Sequence, residues 1–192
     1  MRRLRQALTL VVFMTFMLGI VYPLLVTAVS HVVFPAQAAG SLLHQGGTLI
    51  GSKLIGQHFS DPKYFWGRPS ATAPQPYNGE ASGGSNLGPL NPALLDQVDA
   101  NLKPLRAAQP ADHAGRVPVD LVTASASGLD PQISVAGAHF QAERVAEARH
   151  MTPASVHALI DRLQSVPLFG IIGESQVNVL QLNLVLDHSM NE

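Results

Sequence analysis

Scattered histidines, serines set beside glycines and one cluster of aromatics are the residues in this 192-residue chain with chemistry to offer beyond packing. His31, His44, His58, His113, His139, His150, His157 and His188 include no His-Glu-x-x-His pair, and no cysteine completes a zinc set, so they read as surface or partly buried side chains. The lack of cysteine also removes disulfides, iron–sulfur clusters and thiol catalysis. Ser82-Gly83-Gly84-Ser85 has the small residues of a phosphate-cradling loop without the Gly-Lys-Ser/Thr ending that supplies charge and a magnesium ligand, and it reads as a structural turn. Ser125 and Ser127 have neither a Gly-x-Ser-x-Gly elbow nor an adjacent base. No catalytic residue, metal site or cofactor of its own is therefore expected.

Recognition is better served. Tyr64, Phe65, Trp66, Arg68, Tyr77 and Asn78, with Ser82, Gly83, Gly84, Ser85 and Asn86, lie in a stretch punctuated by Pro69, Pro74, Pro76 and Pro89. Such a stretch sustains neither a long helix nor a central strand, and its aromatics and low charge argue for an ordered loop presenting a contact surface. The plainer alternative places Phe65 and Trp66 in the core and pairs Arg68 with a local carboxylate. A net charge of -1 with 13% charged residues leaves no basic footprint for nucleic acid.

The element that decides where these residues act is Ala7 to Val29, an uncharged apolar run long enough to cross a bilayer of about 30 Å as one helix. Arg2, Arg3 and Arg5 precede it and no Lys or Arg follows before Lys53, which places the N-terminus in the cytoplasm and the rest outside. A cleaved signal peptide is the alternative, with Ala36-Gln37-Ala38 as its site, but the apolar core is longer than a signal usually carries. Thr15, Gly19, Tyr22-Pro23 and Val26 recur at spacings of three and four, a stripe along which a partner helix can approach closely. The expected organisation is residues 1–6 cytoplasmic, 7–29 spanning, 30–47 a juxtamembrane connector and 48–192 one extracytoplasmic domain.

Within that domain Asn91-Pro92, Ser134 and Thr152-Pro153 open three helices, the first to be ended or kinked by Pro104. A strand or hairpin is expected at 48–57, and strands at 117–123, 169–173 and 177–187, the last from alternating Leu180, Leu182, Leu184 and Leu186. The fold class is α/β (α+β), a single globular domain with a small sheet behind one N-terminal transmembrane helix.

Tyr-Phe-Trp-Gly-Arg-Pro-Ser-Ala at 64–71, Tyr77-Asn78, Ala81 to Asn86, Leu121 to Asp130, Val177-Asn178, Leu182-Asn183 and Leu186-Asp187, together with Val21 to Leu25, resemble the C subunits (KdpC) of bacterial Kdp high-affinity potassium-transporting P-type ATPases. The resemblance runs end to end. It implies a non-catalytic subunit of an inner-membrane complex, beside a potassium-translocating subunit, an ATP-hydrolysing subunit and a small lipid-facing one. It further implies a catalytic chaperone that raises the ATP affinity of the hydrolysing subunit, with Gln141 at the position of a nucleotide-assisting glutamine. The arginine asymmetry sets Gln141 on the side of the membrane away from cytoplasmic ATP, leaving an effect through assembly, or a lid over the potassium entrance with no nucleotide role.

Overall fold

The computed structural model describes residues 1–110, 115–167 and 169–188, so His113 lies outside the described residues. The chain divides into two units, Met1–Ser52 and Lys53–Glu192.

The first unit is built on one apolar helical stretch, Arg2–Val33, of 32 residues. At 1.5 Å per residue it reaches about 48 Å, so it is long enough to span a hydrocarbon core of about 30 Å. Helices α1 (Arg2–Phe16) and α2 (Tyr22–Val33) are joined by a π-helical turn, Met17–Val21. Pro23 explains that turn: it has no N–H to return to the carbonyl of Gly19 and its ring crowds that carbonyl, so the helix widens there. The N–H of Tyr22 accordingly donates five residues back, to Met17 O. A short α3 (Pro35–Ala38) leads into β1 (Leu42–Gln45) and β2 (Thr48–Ser52), an antiparallel hairpin in which Gln45 faces Thr48. Its two-residue turn is Gly46-Gly47, both at positive φ (56° and 84°), the backbone a tight hairpin turn requires. The strand expected after residue 48 is present, pairing back to 42–45 within the stretch read as a connector.

The second unit is α+β. Helix α4 (Pro92–Ala107) begins where Asn91 accepts the N–H of Ala93, α5 (Val135–Ala148) where Ser134 accepts that of Gly137, and α6 (Pro153–Leu163) where Thr152 accepts that of Ser155. Helix α4 runs through Pro104 and stops one turn later. Strands β3 (Gln132–Ser134) and β4 (Gln176–Asn178) pair antiparallel with Ile133 opposite Val177, and α7 (Val179–His188) follows. Phe65, Ile133, Val145, Val156, Ile160 and Leu186 are among the residues that fill the core between α5, α6, α7 and the strands.

Three expected strands are corrected. Only 176–178 of the leucine-alternating stretch is extended, and the rest is α7. The side chain of Asn178 accepts the N–H of Gln181, and the buried set Val179, Leu182, Asn183 and Leu186 has helical spacing. Residues 117–123 hold a 3-10 turn, Val119–Leu121, because Thr123 donates back to Val119 O and Asp120 turns inward to accept the N–H and hydroxyl of Ser134. Phe169, Gly170 and Gly173 take positive φ (54°, 74° and 97°), so 169–173 is a turn.

Candidate functional site

The aromatic stretch is not a free loop but a strap whose backbone is gripped by side chains of α5 and α7. Asn183 accepts the N–H of Phe65 at 2.8 Å and donates to its carbonyl at 3.0 Å. Gln141 repeats the pattern one residue on, accepting the N–H of Trp66 at 2.8 Å and donating to its carbonyl at 3.1 Å. Each amide thus offers the strap the donor and acceptor that a neighbouring β-strand would. Arg144 donates to the carbonyls of Pro62 and Tyr64, and Arg149 to that of Lys63 at 2.6 Å. Every carbonyl from Pro62 to Trp66 therefore accepts from a side chain, which satisfies a segment that passes from exposed Pro62 and Lys63 to buried Phe65 and has no sheet to pair with.

Helical spacing puts these groups in reach. Gln141 lies on the same face as Ala138, Ala142 and Val145, whose small side chains let the strap approach the helix. Gln141 and Phe65 are both 0% exposed, and Asn183 is 1% exposed. The Gln141 oxygen also accepts from Arg144 at 2.7 Å and its nitrogen donates to Gly137 O at 3.3 Å, so both ends of the amide are committed within the domain. Arg144 stacks over the Trp66 ring, 4.2 Å from its centroid. Burial pushes its guanidinium down to about 10, partly opposed by the charge of Asp61, so it stays charged at neutral pH. Arg149 is anchored by Asp187 at 2.8 Å, and the same carboxylate accepts the Tyr64 hydroxyl at 3.1 Å.

The loop beyond the strap winds over the turn Ala124 to Asp130. Arg68 pairs with Asp130 at 3.0 Å, and Ser70 donates to Gly128 O while accepting the N–H of Tyr77. The Tyr77 hydroxyl donates to Arg68 O at 2.6 Å, and burial pushes its phenol up to about 12. Asn78 donates to Ala73 O, and Ser82 and the N–H of Gly83 both donate to Ser127 O. At Gly84 a Cβ would stand 2.9 Å from Ala126 O, so the glycine serves close backbone packing. Among these residues Ser82 and Asn86 are exposed, whereas Tyr64, Trp66, Arg68, Tyr77, Asn78, Gly83, Gly84 and Ser85 are half-buried. A cavity of about 250 Å³ opens beside the loop, lined by Phe59, Trp66, Arg68, Tyr77 and Leu105 among others. The loop is thus held rigid, with its recognition chemistry largely spent on its own fold.

In the first unit Thr15, Gly19, Tyr22 and Pro23 are all exposed. A Cβ at Gly19 would meet nothing within 4 Å, so the space beside this glycine is open. Among the described residues no group of three or more histidines, aspartates or glutamates converges as a metal site. His139 and His157, far apart in sequence, do come together, with ring nitrogens 2.6 Å apart.

The sequence reading identified Phe65, Trp66, Arg68 and Gln141, but not Asn183, Arg144, Arg149, Asp187 or Asp130 as their partners. A usable signal was present: Gln141 and Asn183 are amides set within apolar helical faces, where an unpaired polar group would be costly.

Comparison with known proteins adds a separate line of support. The model of the family described as KdpC, the K+-transporting ATPase c chain, matches residues 4–188. The potassium-transporting ATPase KdpC subunit of Variovorax paradoxus is 61% identical over 186 residues, covering 97% of this chain and 96% of that protein. The subunits of the same name from Methylibium petroleiphilum and Sorangium cellulosum are 59% and 56% identical, each over 184 residues covering 96% of both chains.

Proposed function

Because this chain belongs to the KdpC family of K+-transporting ATPase c chains, we propose that it is a non-catalytic accessory subunit that assembles and stabilises a potassium-transporting complex. Its partners on this reading are the potassium-translocating subunit, the ATP-hydrolysing P-type subunit and the small lipid-facing subunit. The chain crosses the bacterial inner membrane once, with Arg2, Arg3 and Arg5 in the cytoplasm and the 48–192 domain outside. The observation that carries the proposal is the uncovered apolar helix with its Thr15, Gly19, Tyr22 and Pro23 stripe, where a small residue and a widened backbone leave room for another helix.

A raised ATP affinity of the hydrolysing subunit then arises through assembly. The amide of Gln141 is already committed to Trp66, Gly137 and Arg144, which supports a positioning role for it. A lid over the potassium entrance is the second reading, favoured by the rigidity of the loop from Arg68 to Asn86 and its exposed Ser82 and Asn86. Gly19→Leu separates an assembling helix from a passive anchor. The variant chain is expected to insert and fold normally yet fail to co-purify the other subunits, with loss of potassium uptake. Full assembly in the variant would refute the helix as a contact.

A further inference from the structure

Between α6 and β4 the chain makes a turn whose base is closed and whose tip is bare. At the base Ser165 donates its N–H to Gln176 O at 2.8 Å and its hydroxyl to the same oxygen at 3.0 Å, while that hydroxyl accepts the N–H of Gln176 at 3.3 Å. Gln176 opens β4, whose Val177 lies in the core, so the base is fixed to the fold. Beyond it Val166, Phe169, Ile171 and Ile172 are 78%, 83%, 83% and 60% exposed. Gly170 donates to Pro167 O at 2.9 Å, and Phe169 itself takes positive φ, a region that a bulky L residue enters only at a cost. The backbone thus spends energy on holding apolar side chains in solvent.

Composition decides what covers them. No ionisable residue lies between Arg162 and Glu174, so the tip is uncharged, as the centre of a protein–protein contact is. Segments that dip into a bilayer carry Lys or Arg at their edge to meet lipid headgroups, whereas the nearest charges along this chain, Asp161, Arg162 and Glu174, sum to a negative value. A second copy of the chain is also a poor occupant. Four side chains offer at most a few hundred Å², well below the ~800 Å² per partner of a stable pair. A small, uncharged projection fits instead as an anchor in a concave pocket, with the rest of the contact area supplied elsewhere.

We propose that Val166, Phe169, Ile171 and Ile172 form an apolar anchor that seats in a hydrophobic pocket of another protein subunit of the transport complex, on the side of the membrane where the domain lies. This rests on the reading of the chain as a subunit of that complex. The uncovered apolar helix Arg2–Val33 supplies the first attachment, so seating the anchor becomes an intramolecular step and a modest pocket suffices.

The test uses the full-length chain co-expressed with the other subunits. In the Phe169→Asp/Ile171→Asp double variant the urea midpoint of the isolated chain should be unchanged, since both side chains are exposed. The amount retained in the detergent-solubilised complex should fall about tenfold, and Phe169→Leu should retain the wild-type amount. Full retention of the double variant overturns the anchor. The chain has no native cysteine, so Ile171→Cys can carry a benzophenone in the assembled complex. Light should join it to a protein subunit, and adducts with lipid alone, or with a second copy alone, overturn the proposal. A wild-type chain that does not co-purify with the other subunits would refute the complex-subunit reading, and the anchor with it. Failure of the anchor alone leaves wild type and double variant equally assembled.

Discussion

Replacing Gln141 by alanine distinguishes a residue that positions the strap from one that touches nucleotide. The substitution removes the acceptor of the Trp66 N–H at 2.8 Å, the donor to the Trp66 carbonyl at 3.1 Å and the acceptor of an Arg144 N–H at 2.7 Å. Each buried polar group left unmade costs about 1–3 kcal/mol, and partial access of water around half-buried Trp66 returns some of that, so the expected loss is about 3 kcal/mol. With a urea dependence of about 2 kcal/mol per molar, the unfolding midpoint falls by about 1.5 M. Trp66 is the single tryptophan and has Arg144 stacked on its ring, so its fluorescence follows the site directly. Gln141→Glu keeps an acceptor for Trp66 and Arg144 but sets an oxygen against two carbonyls, and its loss should be intermediate. A Gln141→Ala chain within about 0.5 kcal/mol of wild type, in a complex with weakened ATP affinity, would refute the positioning role.

Gly128 takes φ +66°, and a Cβ there would lie 2.6 Å from Thr72 Cγ2 and 2.7 Å from Gly83 O, so Gly128→Ala should lose about 2–3 kcal/mol in the same urea assay. Burial raises the Tyr77 phenol from 10.0 to about 12, so between those pH values the folded state retains a proton that the unfolded state has released. Stability therefore falls as pH rises through that window, by roughly 2 kcal/mol once partial exposure is allowed for. Tyr77→Phe should lack this alkaline loss, and parallel decline of the two proteins above pH 10 would contradict it.

What the sequence made legible was local. The apolar run, the Asn91, Ser134 and Thr152 caps and the Pro after Asn91 and Thr152 each carry their signal within a few residues, and the corresponding helices are present. Alternation misled at 177–187, because leucines at every second position satisfy a strand template while Asn178 is a cap and Asn183 belongs to a buried helical face. The strap could not be read that way, since Phe65 and Asn183 are 118 positions apart and Trp66 and Gln141 are 75 apart. Such pairings depend on which helices pack together. A buried amide on an apolar helical face is the trace they leave in the sequence.

The proposed topology puts the domain that carries Gln141 outside the cytoplasm, and the proposed action on the complex, through the helix and the outer domain and not on nucleotide, depends on it. The chain has no native cysteine, and Glu147 is exposed on the helix that carries Gln141, so Glu147→Cys offers a single reporter. In intact cells, freed of any outer-membrane barrier, a membrane-impermeant maleimide is predicted to label it fully. Labelling that occurs only after the inner membrane is permeabilised would place the domain beside the nucleotide and contradict the account.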